Sequence, residues 1–147
     1  MMEKLINELY ENRLLNTDEA IEKFEEISCK LFEAIQEDDI LALCRVFDDN
    51  TNDHEMMFGL IHLIETFSSE KAFQLTVSGI ADMTVTAPEW AKIIMYRILN
   101  HAPSRQMFKK AVGASDIQTQ QIIIALLNTI KSEDSERFGV AVDEVIG

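Results

Sequence analysis

Cysteine, proline, glycine and tryptophan are all scarce in this 147-residue chain, which has two, two, five and one of them. Two cysteines and three histidines are too few for a zinc cage. Cys29 and Cys44 both fall in apolar-periodic stretches, which predicts two buried, inert thiols in a cytosolic protein rather than a disulfide. The chain has no Gly-rich phosphate loop, no Gly-x-Ser-x-Gly, no Cys-x-x-Cys and no His-Glu-x-x-His. No apolar run approaches the roughly 20 residues that span a bilayer. The opening Met1-Met2-Glu3-Lys4-Leu5-Ile6 lacks a basic region followed by an apolar run, so no signal peptide is read and a cytoplasmic location is expected. These absences leave no catalytic residue, metal site or cofactor to predict.

Positive charge is also missing from one half. Residues 1–70 hold 18 Asp and Glu against 5 Lys and Arg, whereas residues 71–147 hold 8 of each. The whole net charge of −13 therefore lies in the first half. Such an asymmetry argues against nucleic acid or an anionic membrane as a direct partner and points to a protein with a basic surface. The plainer alternative is that acidic helices keep the chain soluble.

What is present is helical periodicity. Apolar residues recur at three- and four-residue steps nearly throughout, with little β-branched alternation, so an all-α fold is expected. The pattern predicts helices over about residues 2–15, 17–36 (capped by Thr17 and buried through Phe24, Leu31 and Phe32), 38–47, 53–67, 69–82, 88–101, 103–112, 116–132 and 134–145. Residues 84–88 read as a connector, and Ser115 as the cap of the helix after Gly113. The helix of residues 53–67 is apolar on nearly all sides, which predicts a central position. Phe58, Trp90 and Ile122 stand 32 residues apart, as do Leu43, Leu75 and Met107, and Ile61, Ile93 and Ala125. This weak repeat predicts a single domain, residues 1–147, built as a HEAT/armadillo-like α-α superhelix of stacked antiparallel helix pairs. Residues 1–37 form an acidic helical cap, 38–132 three helix pairs, and 133–147 a terminal helix or tail.

The loop from Asp48 to Glu55 resembles a calcium loop only superficially. Asp53 stands where such a loop needs Gly, and Gly59 where it needs Glu. Its carboxylates are expected to cap the next helix or to recognise Lys and Arg of a partner. Asp38, Asp39, Asp48, Asp49, Asp53 and Glu55 are accordingly the candidate partner-binding residues. His62 and Glu65 share a helix face, but no second Glu-x-x-His exists to complete a metal site. The 32-residue offset brings Glu65 opposite Arg97, which predicts a buried ion pair between neighbouring helices. Trp90, the only tryptophan, is expected to anchor the core.

The segments Cys44-Arg45-Val46-Phe47-Asp48-Asp49, Glu55 through Phe58-Gly59-Leu60-Ile61-His62-Leu63-Ile64-Glu65, and Pro88-Glu89-Trp90-Ala91-Lys92 through Tyr96-Arg97-Ile98-Leu99-Asn100 together resemble the immunity protein 30 family of bacterial polymorphic toxin systems. The resemblance spans roughly residues 38–112, with Phe58, His62, Glu65, Trp90, Arg97 and Asn100 as its pattern. It implies an α-helical cytoplasmic antitoxin, encoded beside a toxin and neutralising it by direct binding. An acidic surface suits a basic, nuclease-type toxin. The rival readings are a helical scaffold or adaptor binding a basic protein, and a helical enzyme using His62 and Glu65 as an acid–base pair.

Overall fold

Thr17, Asp53, Ser69 and Asp116 each sit in extended backbone and accept a hydrogen bond from the amide three residues on, at Ala20, Met56, Ala72 and Thr119. Each cap starts a helix whose apolar stripe turns inward. The computed structural model describes residues 2–147. Nine α-helices run in order among them: α1 (Met2–Glu11), α2 (Asp18–Ala34), α3 (Ile40–Cys44), α4 (His54–Glu65), α5 (Glu70–Thr86), α6 (Pro88–Leu99), α7 (Ala102–Gly113), α8 (Ile117–Glu133) and α9 (Ser135–Ile146). A 3-10 turn, Glu37–Asp39, leads into α3. The fold is all-α, a superhelical stack of helix pairs.

α3, α5, α7 and α9 form a row in which each helix packs against the next. α6 pairs with α5, and α8 with α9, while α1 and α2 make a hairpin that meets the remainder through α4. A second spacing governs the helix lengths. α5 and α8 have 17 residues each, α6 and α9 have 12, and each start in the second pair lies 47 residues after its counterpart. The joints repeat as well: Ala87 has φ −148° and ψ 65°, and Asp134 has φ −151° and ψ 73°.

Several local expectations are corrected. The first helix stops at Glu11, because Leu15 enters the left-handed region at φ 52° and turns the chain toward α2. α5 continues to Thr86 through the expected connector, and Asp116 rather than Ser115 caps α8. The central helix is α5, not α4. It packs against α3, α6, α7 and α8, while α4 exposes His62 and Glu65. Thr76 and Gly79 let α5 occupy that position. Thr76 is buried and returns its hydroxyl to the Ala72 carbonyl. A Cβ on Gly79 would lie 2.4 Å from Cys44 Sγ, so glycine permits the close approach of α3 to α5. Burial pushes the Cys44 thiol up to about 12, with Asp82 adding to the rise and Arg45 opposing it. Cys29, expected to be buried, is exposed on α2, and so is Phe32 at 70%. Both stand on the solvent side of a helix whose inner face is Phe24, Ile27 and Leu31.

Candidate functional site

Proline at the first turn of α6 supplies the helical φ but no capping oxygen, and Ala87 before it has none to give. The cap comes instead from the acidic loop. Asp49 accepts from the amides of Glu89 (3.1 Å) and Trp90 (3.2 Å). The Asp48 carbonyl accepts from Trp90 Nε1 at 3.2 Å. Trp90 itself is 2% exposed and lies against Phe47, His54 and Phe58, with ring centroids 5.4–5.8 Å away. Tryptophan suits this place because its ring fills the gap while its N–H reaches a carbonyl. The loop and the aromatic residues thus join the first half of the chain to α6.

The six candidate acidic residues do not stand alike. Asp48 pairs with Arg13 at 3.0 Å and accepts from the Asn50 amide at 2.9 Å. Arg13 also donates to the Tyr10 carbonyl and lies over the Tyr10 ring at 3.9 Å. Asp53 caps α4, and Asp39 accepts from the Gln36 amide at the head of the 3-10 turn. Asp38 is exposed and 2.5 Å from Lys71, whose ammonium it holds above the usual range mainly through that hydrogen bond. Glu55 is exposed, with no ion pair among the described residues. Five of the six, all but Glu55, therefore have internal bonds to keep.

Glu65 and Arg97 meet in a bidentate pair, at 2.7 and 2.8 Å across α4 and α6. Those bonds raise the Arg97 guanidinium above its ordinary range. The pair is not buried as expected, since the two side chains are 40% and 39% exposed. Water reaches it, so breaking it from one side costs about 1 kcal/mol or less, against the roughly 3–5 kcal/mol of breaking a buried pair. Glu65, Arg97 and Asn100 border a recess of about 520 Å³ between α4, α5, α6 and α7. His62 is exposed on α4 and belongs to no cluster of three or more metal-ligating side chains; no such cluster occurs among the described residues.

The sequence pattern missed where the carboxylates go unanswered. α1 and α2 carry nine: Glu3, Glu8, Glu11, Asp18, Glu19, Glu22, Glu25, Glu26 and Glu33. Among the described residues only Glu26 has an ion pair, with Lys30 on its own helix. The signal was available in the spacing, because Glu22, Glu25, Cys29 and Phe32 fall on one side of α2.

Comparison with known families decides the matter. The model of the family described as Immunity protein 30 matches residues 11–108. The chain belongs to this family. The match runs from the end of α1 to the middle of α7, so it takes in the acidic loop, the Trp90 cluster and the Glu65–Arg97 pair. No curated protein and no solved structure matches the chain. Among the described residues of this Immunity protein 30 member, no helix is long and apolar enough to cross a membrane.

Proposed function

We propose that this chain binds and neutralises a cognate toxin in the cytoplasm, and that the toxin offers a basic surface of the kind a nuclease uses for its substrate. Membership of the Immunity protein 30 family carries the reading. The charge layout supports it. Carboxylates left unpaired on an exposed helix hairpin raise the encounter rate with a basic partner and then cover its charge. Neutralisation by occlusion needs a rigid complementary surface and no chemistry of its own.

The proposed interface centres on the outer faces of α1 and α2, with Asp38, Asp39 and Glu55 at its margin. Asp48, Asp49 and Asp53 face the same half of the molecule, but their hydrogen bonds give them a second task in holding the loop. Phe58 and Trp90 hold the acidic loop in place, while Arg97 and Asn100 border the recess between α4 and α7.

Co-expression with the toxin encoded beside this gene tests the reading. Survival of the cells together with 1:1 co-purification is the expected result. A toxin that kills equally well in the presence of the chain would overturn it. Lysine replacements at Glu22, Glu25 and Glu33 are expected to lower the association rate about tenfold at low salt and to flatten its salt dependence.

A further inference from the structure

Val85 is the most exposed of the large apolar side chains among the described residues, at 84%, although it sits in the last turn of the central helix. It borders a groove of about 880 Å³ on the side of the row where α1 and α8 stand apart. Ile6 and Tyr10 of α1 form one wall, Ile122 of α8 the other, and Ala42, Val46 and Ala81 belong to the floor. Tyr10, the next exposed apolar residue here, is 46% exposed. Phe32, Ile117 and Val140 are exposed elsewhere, but none of them lines this groove, whose apolar residues gather within one charged rim.

Its rim is acidic. Glu3, Asp39 and Asp82 line it against a single cation, Arg45, which stands 3.9 Å from Asp82. Glu8 and Glu11 extend the carboxylates along α1 in an adjoining recess that shares Glu3 and Asn7 and also holds Lys4. α5 ends at the groove with no basic residue in its last turn, so its carbonyl end adds negative potential there. Apolar floor and anionic rim together define the complement: a segment with apolar side chains on one face and Lys or Arg on its flanks.

We infer that this groove receives a cationic amphipathic segment of the toxin, and that Val85 and Asp82 are specificity-determining residues of the complex. The inference rests on the toxin-binding reading above and names where that binding is anchored. The hairpin α1–α2 then steers the partner by charge, while the groove holds it by burial. The two roles separate kinetically, because exposed charges act mainly on association and desolvated contacts on dissociation.

The experiment measures binding of the adjacent-gene toxin to the full chain, the V85E/D82K variant and the E22K/E25K variant by surface plasmon resonance. Both sites are exposed, so melting temperatures should stay close to the parent and confirm that the variants fold. The expected result is a loss of about 30-fold or more in affinity for V85E/D82K, carried by dissociation, and a smaller, salt-sensitive loss for E22K/E25K. If the parent chain binds and protects while V85E/D82K binds equally well, the groove assignment is overturned and the toxin-binding reading stands. If the parent chain neither binds nor protects, both fail together. Sedimentation supplies the remaining check: a dimer of the parent chain that V85E/D82K dissociates would make a second copy the occupant and overturn the assignment.

Discussion

In the second half of the chain, Lys92 and Glu133 (3.1 Å), Arg105 and Glu144 (2.8 Å), and Lys131 and Asp143 (2.7 Å) tie one helix to another. On α1 and α2, eight of nine carboxylates have no cation within 4.0 Å among the described residues. Charge in the second half is therefore structural glue of modest strength, while charge on α1 and α2 is left almost without internal partners. The boundary is bridged by groups of a third kind, the Asp49 carboxylate and the Asp48 backbone carbonyl, which reach from the acidic loop to the start of α6. Counting charges by half would treat all of them as equivalent. Their surroundings show that an acidic residue can hold the fold together or stand without an internal cation, and that position decides between the two.

The sharpest way to break this comparison is at its joint. Trp90→Ala empties the cluster formed with Phe47, His54 and Phe58 and should cost about 3–5 kcal/mol in chemical denaturation. A cost near zero would mean that the halves are not coupled through that cluster. Gly79→Ala places a methyl group against Cys44 and should cost about 1–3 kcal/mol, with Cys44→Ala recovering part of it in a double-mutant cycle. The same burial sets a pH window. Between 9.0 and about 12 the thiol stays protonated when folded and ionises when unfolded, so stability should fall as pH rises through that range and Cys44→Ala should flatten the fall. Asp49→Ala removes the cap of α6 and is expected to cost about 0.5–2 kcal/mol. Exposed Glu22→Lys and Glu25→Lys should change stability by about 0.5 kcal/mol or less. Glu65 and Arg97 should likewise couple weakly, by about 0.2–1 kcal/mol, and the coupling should shrink in salt.

The fold class was legible because apolar residues at three- and four-residue steps have one reading, and the cap Thr17 marks a start that the backbone obeys. The 32-residue offset placed Glu65 opposite Arg97, and they do meet. Burial was harder to read. Phe32 and Cys29 look like core residues by type, yet both lie on the outside of α2, because α2 buries a narrow stripe against α1 and α4. Local hydrophobicity made α4 look central, whereas α5, with more polar residues, takes that place because Gly79 lets α3 approach closely. The 47-residue spacing of helix lengths was hidden because it recurs in backbone joints, Ala87 and Asp134, that share no side-chain chemistry. The groove could not be read from the chain, since its walls come from residues as distant as Glu3 and Ile122.

A stack in which helices meet mainly their neighbours does not open all at once. The α1–α2 hairpin is joined to the remainder through α4, the Arg13–Asp48 pair and a hydrogen bond from the Asn52 amide to the Leu14 carbonyl. α5 is enclosed by four other helices. Amide protons of α1 should therefore exchange with solvent well before those of α5. One wall of the groove therefore belongs to the part expected to open first and the floor to the part expected to open last, so the width of the groove should vary around a fixed base.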